Sequence, residues 1–368
     1  MRLVAESGLW TQTSPLVAVL EVSGAVLSWI VDDPAGAVAA HITFTDPDRA
    51  DWLWRVVGQA GHIAVVSSAT DEPQDLPGVQ IAPGSLDPLH RLAIGQWLRR
   101  WWPASLRDGI GALDQALLDV EIALLTAGAD GFFTDDTLDS DMSELLVPHG
   151  AALLAHARSN DPRIRDLVRA GTELADEVGV EGAEWAELSA AVQDSSLRPA
   201  EPTGYRDDYA LAAGADPGPA AAVAMGRGVA SINWGAVPPG IFDAAEDTVD
   251  WSVEQRGPAV VAVVRAAVIG PGPAADVPVR VQSGDVSGAG ALDVGGRATV
   301  PLVDARRRAL SETVAWNHDW PATSVVVGAE VTEPRAVRER IRGWVRARLD
   351  RPPADAFLAE ILAAESSY

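Results

Sequence analysis

Four carboxylates within seven residues are the strongest chemical signal in this chain: Asp135, Asp136, Asp139 and Asp141, in the string Asp135-Asp136-Thr137-Leu138-Asp139-Ser140-Asp141. The spacing spells DDxxD, by which carboxylates hold a divalent cation against a diphosphate, and it raises a divergent metal-dependent hydrolase or transferase as one expectation. That chemistry needs a large helical bundle and a second metal motif on a facing helix, whereas the helical block here covers only about a hundred residues. An EF-hand is excluded, because no glycine stands at the sixth position of the loop, where Ser140 is followed by Asp141. The competing reading is that these acids gather at the positive end of a helix running from Met142 to Val147. His149 and His156 share a helix face but lie ~10 Å apart along its axis, too far to hold one metal.

Two other strings could bind rather than react. In Trp316-Asn317-His318-Asp319-Trp320-Pro321, two aromatic residues bracket three polar ones, a composition able to grip a peptide, sugar or base by stacking and hydrogen bonding. The alternative is that the tryptophans plug the open end of a β structure while Asn317 and Asp319 satisfy a turn. Arg335, Arg338, Arg340, Arg342, Arg346 and Arg348 crowd one predicted helix of an otherwise acidic chain. Arg335, Arg338, Arg342 and Arg346 are therefore candidates for docking an acidic partner, against the alternative of a solvated face paired with the protein's own carboxylates.

Much chemistry is excluded outright. The 368 residues contain no cysteine and no lysine, which removes thiolate nucleophiles, cysteine-bound metals, Schiff bases and the phosphate-binding P-loop lysine. No G-x-S-x-G or H-E-x-x-H string occurs, and the glycines around Gly284, Gly288 and Gly290 precede a strand rather than a helix, against a dinucleotide site. No catalytic residue and no cofactor is expected. A net charge of −24 argues against nucleic acid and anionic membrane as main partners. The start of the chain lacks a signal-peptide pattern and no long apolar run occurs, so the expected location is cytoplasmic.

The elements that must position these residues fall into blocks. Residues 1–84 read as a small α+β unit, with strands in Leu16–Ile30 around Ser23-Gly24, strands at Ala37–Phe44 and His62–Ser67, and a short helix over Asp48–Val57. Residues 85–195 read as helical: Asp87-Pro88 opens a helix stopped by Pro103, another starts near Asp108, a third is broken near Pro148, and Asp161-Pro162 opens one that Gly179 closes. The Pro/Ala/Gly-rich stretch 196–222 reads as a linker. Residues 223–332 carry short valine-rich runs between turn clusters, predicting an antiparallel β-sandwich of immunoglobulin-like or transthyretin-like type, with Gly290–Val300 as a hairpin around Gly295-Gly296. Residues 333–368 return to helix after Glu333-Pro334. The fold class expected is thus α+β and multidomain.

By the Gly240–Trp251 and Trp316–Pro321 strings the chain resembles a conserved actinobacterial protein family with no assigned activity; that resemblance implies no cofactor or binding residue. With catalytic signatures missing and thirteen tryptophans available as interface anchors, the function expected is a non-enzymatic interaction or scaffold component of a bacterial assembly, with one or more proteins as partners.

Overall fold

Gly24 adopts φ 69°, the left-handed backbone a tight turn requires, and a Cβ there would lie 2.2 Å from the Asp46 carbonyl oxygen. Around it the alternating apolar residues of the first block pair as predicted. In this computed structural model, which describes residues 2–3, 14–33, 40–68, 74–76, 78–133, 139–194 and 224–366, the chain divides into two compact units. One comprises Met1–Arg100, Leu113–Glu201 and Ala347–Tyr368; the other comprises Trp101–Ala112 and Pro202–Arg346. Both helices and antiparallel sheets are present, giving a mixed α+β protein. The predicted linker 196–222 lies outside the described residues.

In the first unit, β1 (Arg2–Leu3) pairs with β5 (Gln74–Asp75), and β2 (Val17–Val22), β3 (Ala25–Ile30) and β4 (His41–Phe44) form a three-stranded antiparallel sheet. The segment predicted as a helix over Asp48–Val57 is two 3-10 turns, Pro47–Arg49 and Asp51–Leu53, running into α1 (Trp54–Ser67). His62–Ser67, expected as a strand, is the second half of α1. Its β-branched run is overridden by tertiary packing: Val56 and Val65 point into the core while Ile63 faces outward. The helices α2 (Asp87–Trp101), α3 (Gln115–Asp130), α4 (Asp139–Leu146), α5 (Gly150–His156), α6 (Pro162–Glu177) and α7 (Ala183–Gln193) follow. α3 begins seven residues later than its expected start at Asp108, because the Asp114 side chain caps it by accepting from Leu117 N at 3.1 Å. It packs against α4, α5 and α6, and is buried on most of its circumference.

The second unit holds two antiparallel sheets. β6 (Gly226–Ala230), β7 (Val249–Arg256), β8 (Ala259–Ala266) and β11 (Arg297–Pro301) make one, in the order β11-β8-β7-β6. β9 (Pro278–Ser283), β10 (Val286–Ala291) and β12 (Ser324–Val327) make the other, ordered β10-β9-β12. Alternate residues of both, among them Trp251, Val253, Ala262, Val264, Val279, Val281, Val300 and Val325, share one buried cluster. The expected turn in Gly290–Val300 forms, with Asp293 N donating to the Arg297 carbonyl at 2.8 Å and Ser287 bridging Val303 in the same register, but the ladder between them is open: β10 pairs with β9 and β11 with β8, so the turn also carries the chain from one sheet to the other. A glycine pair marks the bend but does not choose the pairing, which follows the burial of Val286 and Val300 in the shared core. The unit also contains the short α8 (Glu312–Trp316) and the first twelve residues of α9 (Arg335–Asp350); α10 (Leu358–Ser366) belongs to the first unit and packs on α3.

Candidate interaction surface

Of the acidic cluster, Asp135 and Asp136 lie outside the described residues, and Asp139 and Asp141 stand in the first turn of α4 with their side chains outside them too. Among the described residues no group of three or more histidines and carboxylates is placed to hold a metal. His149 and His156 are tied to different carboxylates. His149 Nε2 bonds Asp119 Oδ2 at 2.8 Å, and Asp119, buried in α3, also accepts from Gln115 Nε2 at 2.7 Å and forms an ion pair with Arg99 Nε at 3.1 Å. His156 Nε2 bonds Asp114 Oδ2 at 2.7 Å. That hydrogen bond raises the His156 pKa against the opposing effect of burial. Burial pushes the Asp114 carboxyl up, but its hydrogen bonds from His156 and Leu117 N outweigh this and hold it below the ordinary value.

The Trp316–Trp320 string does not present two aromatic faces together. Trp320 is 3% exposed, sits in the shared core of the two sheets and donates from Nε1 to the Ala315 carbonyl at 2.8 Å. His318 meets its ring edge-on at 4.4 Å and bonds Ser283 Oγ through Nε2 at 2.8 Å. Asn317 donates to the Thr313 carbonyl at 2.8 Å, closing α8. Trp316, 49% exposed, Asn317 and Asp319 face outward, with the Asn317 amide taken up by α8.

The arginine helix splits in the same way. Arg338 and Arg342 are buried, and both clamp Glu246: Arg338 Nε and Nη2 donate to its two oxygens at 2.9 Å, and Arg342 Nη2 donates at 2.9 Å. Burial alone would raise the Glu246 carboxyl, but the hydrogen bonds from Arg338, Arg342 and Ser231 win and hold it at about 2. Arg338 also donates to Asn233 Oδ1 at 3.1 Å and to the Glu333 carbonyl at 2.9 Å. The Glu333 carboxylate in turn accepts from Trp234 N at 2.7 Å and Gly235 N at 2.6 Å. Arg335 pairs with Glu339 at 2.8 Å and Arg346 with Asp108 at 3.2 Å. Two of the four arginines expected to face a partner are therefore inside the unit, fixing α9 to the Asn233–Glu246 segment.

A different basic surface is assembled by strand register. On the outer face of the four-stranded sheet, Arg297 stands opposite Arg265, Arg265 opposite Asp250, and Asp250 opposite Val229; Arg227 lies on the next row beside Ser252. Arg227, Val229, Asp250, Arg265 and Arg297 are all exposed. Among the described residues no carboxylate lies within ion-pair distance of Arg227, Arg265 or Arg297, unlike Arg256, which reaches Glu254 at 3.7 Å. A shallow groove of about 410 Å³ runs over this face, with Arg227, Val229, Asp250, Val263 and Arg265 along it. Like charges directly opposite on neighbouring strands cost stability; Asp250, across from Arg265 on its other side, offsets part of that cost, and an anionic group laid between Arg265 and Arg297 would offset more. In sequence these arginines are 32 residues apart and from unpaired runs, and only the non-local ladder makes them neighbours.

The first unit has a cavity of about 990 Å³ at the start of α2, walled by Trp29, Leu86 and Leu125, with Asp87, His90 and Asp355 at its polar end. Burial lowers the His90 pKa, and the charges of Asp355 and Asp87 only partly oppose this. Its lining holds neither Ser nor Thr as an attacking hydroxyl. No helix among the described residues is long and apolar enough to cross a membrane. Compared with protein-family models, with curated proteins and with solved structures, the chain matches none.

Proposed function

We propose that this chain is a non-enzymatic, cytoplasmic interaction component of a bacterial assembly, and that it presents the arginine-lined outer sheet face to a protein partner. The reading takes the two-sheet unit as a sandwich of immunoglobulin-like or transthyretin-like type, with 196–222 as the linker ahead of it. The observation that carries it is the in-register row of Arg265 and Arg297, exposed and without an ion-pair partner among the described residues. Among the described residues, several buried or nearly buried carboxylates are answered by cations: Glu246 by Arg338 and Arg342, Asp119 by His149 and Arg99, Glu360 by Arg348 at 2.7 Å. Such pairs fix a fold, whereas Arg265 and Arg297, with Asp250 the one acid in their row, leave a basic edge that an anionic group can occupy.

The test is site-specific photo-crosslinking in the native host, with a benzophenone amino acid in place of Val229 on the exposed face. A single partner captured in near-stoichiometric yield from Val229, and not from a control position at Arg169, is expected. No capture, or equal capture from both positions, would remove the interaction reading.

A further inference from the structure

Resting on that interaction reading, we infer that the partner's contact on this face is an extended acidic peptide segment with two carboxylates four residues apart and a small or apolar residue midway between them. The argument begins with sign. In a chain of net charge −24, three unpaired guanidiniums collected on one sheet face form a local field opposite to that of the whole protein. A long polyanion would have to approach through the surrounding negative field, which a short acidic segment crosses at lower cost.

Geometry narrows the shape. Neighbouring strands lie ~4.8 Å apart, so the Arg265 and Arg297 backbones are about 5 Å apart, and Arg227, two strands and two residues away from Arg265, is ~12 Å distant. In an extended peptide, residues i and i+4 point the same way and lie about 13 Å apart. One carboxylate can thus sit between Arg265 and Arg297 while another, four residues along, reaches Arg227. Between them Asp250 repels a third acid, and Val229, 54% exposed, together with the groove floor at Val263, offers apolar contact. The pattern recognised is acidic at both ends of a five-residue stretch with a small or apolar residue at its centre. Guanidinium forks hold such carboxylates bidentately, which favours arginine over a point charge in this role.

The test uses the full chain and two fluorescein-labelled nonapeptides, Glu-Thr (Thr-Thr-Glu-Thr-Val-Thr-Glu-Thr-Thr) and Lys-Thr (the same sequence with Lys for both Glu), followed by anisotropy at low and physiological salt. Binding of the Glu-Thr peptide alone is expected, weakening as salt rises. Arg265→Glu and Arg297→Glu should each weaken it about tenfold, and Arg169→Glu, in the other unit, should leave it unchanged. Far-UV circular dichroism and the milder Arg265→Gln and Arg297→Gln, expected to weaken it about threefold, separate lost contacts from lost fold. Binding of both peptides alike, or a Glu-Thr affinity indifferent to these substitutions, overturns the inference. Tighter binding of a ten-nucleotide thymidine strand through the same arginines overturns it too, in favour of nucleic acid. A partner crosslinked at Val229 that excess Glu-Thr peptide fails to displace sinks the acidic-segment inference and leaves the interaction reading standing. Peptide binding without any captured partner does the reverse.

Discussion

Replacing Glu246 by alanine removes the anion on which two nearly buried guanidiniums converge. Its side chain is 13% exposed, against 7% for Arg338 and 6% for Arg342, and it accepts three hydrogen bonds from them at 2.9 Å. Breaking a buried ion pair by deleting one partner costs about 3–5 kcal/mol, because the remaining charge stays desolvated. The loss here is softened, since Arg338 keeps Asn233 and the Glu333 carbonyl, and Arg342 keeps the Ala244 carbonyl at 3.1 Å. The lowered carboxyl pKa gives a second route to the magnitude. Holding the carboxyl at about 2 in place of 4.5 corresponds to roughly 3 kcal/mol at face value, and solvent screening lowers that to ~2 kcal/mol. The two routes agree on a destabilisation of the two-sheet unit by about 2–4 kcal/mol. The pH dependence has a definite sign: the folded pKa lies below the unfolded one, so the stabilisation is complete above 4.5 and is lost as pH falls toward 2. Guanidinium titrations read by hydrogen exchange in β7 and β8 measure this directly, and Glu246→Gln should flatten the acid slope while costing less than alanine. A Glu246→Ala protein within about 0.5 kcal/mol of the parent, with the same acid slope, would refute the reasoning.

Trp320→Ala should destabilise the two-sheet unit by about 3–5 kcal/mol, whereas Trp316→Ala should stay within ~0.5 kcal/mol; thermal melts of the pair show whether that string is core or surface. His156 has a folded pKa above its ordinary value, so its pairing with Asp114 stabilises fully below pH 6.5 and fades as pH rises through the folded pKa. The stability difference between the parent and His156→Ala should therefore shrink from pH 5.5 to pH 8.5 in urea titrations. Gly226→Val should cost at least 1–3 kcal/mol, because a Cβ on Gly226 would lie 2.4 Å from the Trp320 ring; a variant as stable as the parent in denaturant melts would show that β6 has room to shift.

Much of the secondary structure was legible because its signals are local. Asp87-Pro88 and Asp161-Pro162 open helices, α9 begins directly after Glu333-Pro334, and Ser23-Gly24 turns β2 into β3. What failed were features decided by distant partners. His62–Ser67 has strand composition but lies in a helix, and Gly226-Arg227-Gly228-Val229-Ala230 has poor strand composition but forms β6, since its two glycines let the strand pass over Trp320 and Trp251. The arginines of α9 read as one basic face, yet Arg338 and Arg342 turn inward toward a glutamate some ninety residues away. The sheet-face arginines were invisible for the complementary reason: in the strings around Arg227, Arg265 and Arg297 each is a lone charge, and only antiparallel register brings the three together.

The division of the chain into interleaved segments also orders events during synthesis. The helical unit uses Met1–Arg100, Leu113–Glu201 and Ala347–Tyr368, so its last piece leaves the ribosome after every residue of the two-sheet unit has emerged. Until then the α3 surface that α10 covers has nothing to shield it, and Phe357, fully buried in the finished protein, has not arrived. A chain truncated after residue 346 should hold a folded sheet-bearing portion together with an unfinished helical unit with exposed apolar surface, the state in which chaperones and proteases have their longest access.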